Sequence, residues 1–137
     1  MLFTYERRVQ FYETDAQGVV HHSNYFRYLE EARGELLRSL GFPYSALREA
    51  GYEVVLLQAS CSYRKPLFYD ELFTVELTLT ELNRFFFTFN YAIKKGGQVA
   101  AEAFTRHCAV KNGRPASLPS ELTAALKRYL REPEGGA

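Results

Sequence analysis

Tyr12-Glu13-Thr14-Asp15-Ala16-Gln17-Gly18-Val19-Val20-His21-His22-Ser23-Asn24-Tyr25-Phe26-Arg27-Tyr28-Leu29-Glu30-Glu31-Ala32-Arg33 is the stretch in which the chain changes its period. Glu13 to Ser23 shows no clear periodicity. It opens on turn-forming residues and holds a glycine, so it reads as a loop. From Asn24 the pattern becomes helical: Tyr25, Leu29, Ala32, Leu36 and Leu40 recur at three- and four-residue steps. Ser23 or Asn24 can cap the start, and Gly41 followed by Pro43 stops the helix. The segment Tyr44 to Ala50 admits a shorter helical turn before Gly51.

On both sides of this stretch the chain reads as strands. Phe3 to Tyr12 mixes Thr, Tyr, Val and Phe. Tyr52 to Tyr63 carries the apolar run Val54-Val55-Leu56-Leu57, then places Ala59, Cys61 and Tyr63 on one side. Phe73 to Thr80 alternates apolar and polar residues, and Phe85, Phe87, Phe89, Tyr91 and Ile93 continue the alternation. Gly96-Gly97 marks a hairpin, Val99, Ala101 and Ala103 follow it, and Asn112-Gly113-Arg114-Pro115 ends the sheet. Pro119 to Leu130 has helical apolar spacing. The expected fold is therefore α+β: one domain over 1–131, with a five-stranded antiparallel sheet, one long helix and a short C-terminal helix. Residues 132–137 are expected to form a flexible tail. One helix covers only one sheet face and leaves edges to be managed, which predicts edge-to-edge pairing into a homodimer or a multiple of it.

Composition narrows the classes. The chain has 137 residues, with Lys+Arg 17 against Asp+Glu 16 and a formal charge of +1, a balance that argues against a nucleic-acid or anionic-membrane surface. No apolar run approaches the ~18–20 residues needed to span a bilayer, and the N-terminus does not read as a signal peptide. Cys61 and Cys108 are expected to be buried free thiols in a reducing cytoplasm. Three histidines without acidic ligands at metal spacing predict no metal site and no cofactor. Serine-hydrolase, P-loop and dinucleotide-binding signatures are absent.

Asp15 stands seven residues before His22, where the helix is about to begin. A helix N-terminus presents unpaired N–H groups and about half a positive charge, which suit an oxyanion forming on a carbonyl. A carboxylate facing such a donor is a minimal acyl-transfer site. Taken alone, Asp15 in a Glu-Thr-Asp loop is more often a turn former, and His21 and His22 before a helix are usually loop or capping residues.

The run from Tyr12 to Arg33 resembles the signature of the hotdog-fold acyl-CoA thioesterases, in particular the 4-hydroxybenzoyl-CoA thioesterase type and its short-chain, YbgC-like relatives. The resemblance rests on the aspartate, two variable positions, glycine, a hydrophobic pair, two histidines, a small residue and the Asn24-Tyr25 pair. It extends, through element order, over residues 3 to about 130. It implies a sheet wrapped around the long central helix and hydrolysis of small acyl-CoA thioesters, short-chain or aryl, to free acid and coenzyme A. It also implies Asp15 as nucleophile or general base and the His22 N–H as the donor that polarises the carbonyl. Gly18 would admit close approach of substrate, with Val19 and Asn24 beside it. Arg64, Lys65 and Arg84, all at turns, would meet the phosphates of coenzyme A. Phe86, on the outer sheet face, suggests packing between dimers or against the C-terminal helix. A non-catalytic acyl-CoA sensor or carrier with the same fold is the alternative. A hotdog dehydratase or isomerase lacks its acid–histidine spacing here.

Overall fold

The computed structural model of the protein describes residues 1–131, so the tail at 132–137 lies outside the described residues. Strand β1 (Phe3–Arg8) is followed by helix α1 (Ser23–Ser39), helix α2 (Tyr44–Glu49) and strand β2 (Tyr52–Tyr63). Strands β3 (Leu72–Leu82), β4 (Phe86–Lys95), β5 (Gln98–Lys111) and β6 (Arg114–Pro115) complete the sheet, and helix α3 (Ser120–Leu126) follows. The order across the sheet is β1-β3-β4-β5-β2, all antiparallel, with β6 added to β5.

The core follows from the two periods. Helix α1, 17 residues long, buries Tyr25, Tyr28, Leu29, Ala32, Leu36 and Leu37. Facing them, β3 contributes Phe73, Val75, Leu77 and Leu79, and β4 contributes Phe87, Phe89, Tyr91 and Ile93. Alternate residues of each strand point to one face, so this single register buries every one of these side chains.

Several expectations change in detail. The first strand stops at Arg8 instead of Tyr12, because Phe11–Glu13 winds into a 3₁₀ turn. The Glu13 carboxylate draws that turn back by accepting from the Gln10 N–H at 2.8 Å. The sheet has a sixth short strand, since Asn112 (φ 55°) and Gly113 (φ 74°) turn β5 back into β6. Both central residues at positive φ is the conformation that suits a two-residue hairpin, and Asn-Gly adopts it at little cost. Phe86 is partly covered from within its own chain, by the Arg106 guanidinium 4.4 Å from its ring centre. Both cysteines are free thiols: Cys108 is buried and Cys61 half-buried.

Strand β2 lies at one edge of the sheet, and its outer side has no partner among the described residues. Leu56, Leu57 and Tyr63 on it are each about half exposed. Among the described residues no helix is long and apolar enough to cross a membrane.

Candidate active site

A buried ion pair holds the loop before α1. Glu13, 3% exposed, accepts from Arg7 through both carboxylate oxygens, each at 2.8 Å. Tyr28 Oη donates to the same carboxylate at 2.9 Å. Burial alone would push the Glu13 carboxyl up; Arg7, the Gln10 N–H and Tyr28 outweigh it and hold the group below its ordinary value. The Glu13 backbone carbonyl then accepts from the His21 N–H and from Asn24 Nδ2, each at 2.9 Å. One residue thus ties strand β1, the loop and the first turn of α1 together.

Beyond Glu13 the chain makes a small hairpin. Thr14 bridges Val20, and the Asp15 N–H donates to the Val19 carbonyl at 2.9 Å. The Gly18 N–H closes the turn on the Asp15 carbonyl at 3.0 Å with φ +84°, a conformation that disfavours any side chain there. The Val20 N–H donates to Leu67 and Val19 bridges Phe68, so the segment after β2 holds the hairpin from the other side. Asp15 Oδ1 accepts from the Gln17 N–H at 2.8 Å, whereas Oδ2 has no hydrogen bond among the described residues. Asp15 is fixed and exposed, with one carboxylate oxygen free.

Helix α1 begins at Ser23, with His22 at the N-cap position. The cap is supplied by His21, whose Nδ1 accepts from the Ser23 N–H at 3.2 Å and lies 2.9 Å from Ser23 Oγ. The two imidazoles lie together, ring centres 4.2 Å apart. With His21 serving Ser23 and Asn24 bound to Glu13, the His22 N–H is left without a partner among the described residues. It is a backbone donor at the positive end of a 17-residue helix.

Asp15 and His22 line one cleft of about 390 Å³ with Val19, Tyr25, Tyr63, Arg64 and Lys65. Tyr25, a residue of the motif, and Tyr63, neither of them named from the sequence as lining the site, pack edge to face at 4.8 Å and form its apolar wall. Their placement opposite one another depends on the pairing of α1 with the end of β2, which no local pattern reveals. Arg64 is paired with Glu102 at 2.6 Å, and Lys65 Nζ donates to Gln98 Oε1. Their backbone N–H groups share the Ala100 carbonyl, so both cations sit at the rim on a fixed backbone. Asn24 is buried and serves the loop through Glu13. Arg84 lies apart within this protomer, over the Phe85 ring and beside Leu118 and Lys127.

The chain resembles known proteins in sequence and in fold. Residues 9–126 match the family profile described as the thioesterase-like superfamily. The chain belongs to the thioesterase-like superfamily. A crystal structure of a hypothetical protein from Aquifex aeolicus is 64% identical and superposes with a TM-score of 0.88, covering 90% of this chain and 98% of that one. A relative from Haemophilus influenzae named as the acyl-CoA thioesterase YbgC is 29% identical over 90% of this chain and 93% of its own. The structure of a 1,4-dihydroxy-2-naphthoyl-CoA thioesterase from Synechocystis is 27% identical with a TM-score of 0.87, covering 93% and 96% of the two chains. As a member of this hotdog-type family, the protein is a hydrolase of thioesters.

Proposed function

We propose that this thioesterase-like protein hydrolyses small acyl-CoA thioesters to the free acid and coenzyme A, with Asp15 reacting and the His22 N–H polarising the thioester carbonyl. The observation that carries this reading is the presence in one cleft of an unengaged carboxylate oxygen and an unengaged backbone donor at a helix start. In one route Asp15 Oδ2 attacks the carbonyl carbon, the C–S bond breaks, the thiolate of coenzyme A leaves, and water hydrolyses the acyl-aspartyl anhydride. In the other, Asp15 takes a proton from water, whose oxygen attacks the carbonyl carbon directly; the same C–S bond then breaks and the proton goes to the departing thiolate. Both pass through an oxyanion next to the His22 N–H, where charge develops against a fixed dipole. Thiol release from a panel of acyl-CoAs tests the reading.

Rim residues divide the labour. His22→Ala is expected to cost less than about tenfold in kcat, because the backbone donor survives the change. Lys65→Ala is expected to raise KM with little change in kcat, the pattern of a phosphate contact made equally in ground and transition states. Steady-state kinetics on both variants check this, and a kcat collapse in Lys65→Ala would contradict it.

We further propose a homodimer, or a dimer of dimers, formed through the free edge of β2. A 12-residue edge strand with exposed Leu56 and Leu57 is a ready template for pairing with a second copy. Antiparallel pairing would set the Tyr52 end of one strand beside the partner's Tyr63 end. Phe86 is level with Cys108, which is level with Val55, so the Arg84 turn would approach the partner's cleft and its cations. Sedimentation is expected to give at least twice the chain mass of 15.8 kDa; a monomer at micromolar concentration would refute the pairing.

A further inference from the structure

A helix start leaves its first backbone N–H groups without partners inside the helix, and at α1 those after His22 are all taken. The Ser23 N–H donates to His21 Nδ1 at 3.2 Å, the Asn24 N–H to the His21 carbonyl at 2.9 Å and the Tyr25 N–H to the His22 carbonyl at 3.2 Å. The His22 N–H alone has no partner among the described residues. Two of the three acceptors are carbonyls that any residue would supply. The third is a side chain, and it keeps the Ser23 N–H from competing with that of His22 for an oxyanion.

His21 is held in that place from both ends. Its own N–H donates to the Glu13 carbonyl at 2.9 Å, and Arg7 in turn grips the Glu13 carboxylate. The residue is therefore pinned to the loop through its backbone and to the helix through its ring. Ser23 Oγ lies 2.9 Å from the same Nδ1, so two donors converge on one lone pair. A ring nitrogen that accepts carries no proton, which places the imidazole proton on Nε2. The ring also lies against that of His22, at an interplanar angle of 33°. His22 lines the Asp15 cleft and His21 does not, so any effect of His21 on the reaction passes through its neighbours.

We infer that His21 is the positioning residue of the acyl-transfer site: its Nδ1 occupies the Ser23 N–H and fixes the first turn of α1, so that the His22 N–H is the single donor presented to the thioester carbonyl. This role presupposes the hydrolase reading above and deepens it. Without the acceptor the Ser23 N–H is bare, the helix start loses its cap, and the His22 peptide plane swings with it. A displacement of about 1 Å at a reacting centre costs on the order of 10²-fold in rate. Ground-state binding at the rim, through Arg64 and Lys65, does not depend on that donor. The requirement is for an acceptor at this point and not for a ring.

Three substitutions in the full chain separate the acceptor from the ring. His21→Asn supplies a side-chain oxygen suited to a helix start but no ring, His21→Phe keeps a ring against His22 but no acceptor, and His21→Ala removes both. Thiol release is followed on the best acyl-CoA of the panel, with a thermal melt of each variant to confirm folding. His21→Phe and His21→Ala are expected to lose about ten- to a hundredfold in kcat, with KM within about twofold of wild type. His21→Asn is expected to stay within about threefold of wild type in both constants. Full kcat in folded His21→Phe or His21→Ala would overturn the role, and so would a tenfold loss in folded His21→Asn, which decides even if the other two fail to fold. A lower melting temperature with unchanged kcat would leave His21 a structural cap and nothing more. Turnover in the wild type that is indifferent to His21 removes this role alone and leaves the hydrolase. A wild type that releases no thiol from any acyl-CoA removes both.

Discussion

Asp15→Asn is expected to lower kcat for acyl-CoA hydrolysis by about a thousandfold while the protein stays folded. The basis is geometric. The asparagine amide keeps the Oδ1 that accepts from the Gln17 N–H, so the 15–18 turn should survive. What disappears is the free Oδ2, the one atom that could attack the carbonyl or take a proton from water. Loss of a positioned base or nucleophile typically costs 10²–10⁴-fold in rate. Thiol release, with acyl-CoA binding measured in parallel, separates the alternatives. Retained binding with lost turnover supports the assignment. Near-full turnover in Asp15→Asn would remove Asp15 from the chemistry, and tight binding without release in the wild type would replace the hydrolase with a sensor or carrier.

Glu13→Gln is expected to destabilise the fold by about 3–5 kcal/mol, because it leaves the Arg7 cation, 15% exposed, without its bidentate partner. Glu31 also reaches Arg7, at 3.1 Å, but is itself a third exposed and cannot replace a fully buried carboxylate. For a chain of this size the loss corresponds to a melting temperature lower by roughly 10 °C or more. Urea unfolding of wild type and variant measures it; a loss below about 1 kcal/mol would show that Arg7 and Glu13 are not strongly coupled. The pH dependence has a definite sign. Glu13 is held below its ordinary value of 4.5, so its contribution is fully present above that pH and is lost as pH falls through the lower folded value. Wild type should therefore lose stability below about pH 4.5 more steeply than Glu13→Gln. Activity should fall in the variant too, since the Glu13 carbonyl holds His21 and Asn24.

The helix over residues 23–39 and the alternation in β3 and β4 were legible because their signal lies within a few residues of chain. A period of 3.6 or 2 in apolar side chains needs only a core to face. The Asp15 loop was legible as a motif for a related reason: a turn glycine, a carboxylate and a helix start lie within ten residues. Glu13 was not. It reads as one more polar residue in a Glu-Thr-Asp turn, and its burial depends on Arg7 arriving from β1 and Tyr28 from α1. The resemblance marked His22 as the donor, but the capping role of His21 was not legible, and only the backbone geometry brings its Nδ1 to the Ser23 N–H.

By itself, then, the sequence determined the element types, the antiparallel layout and the residues of the reactive loop, since these follow from local spacing and turn chemistry. Tertiary structure alone decided which side chains share a space. It brought Tyr63, Arg64 and Lys65 to Asp15, kept Arg84 away from them within the protomer, and aligned Arg33 with His107 across 74 positions of chain. The reason is that sheet order β1-β3-β4-β5-β2 and strand register are set by long-range packing. A shift of one residue in register would send the strand side chains among them, Tyr63 and His107, to the opposite face.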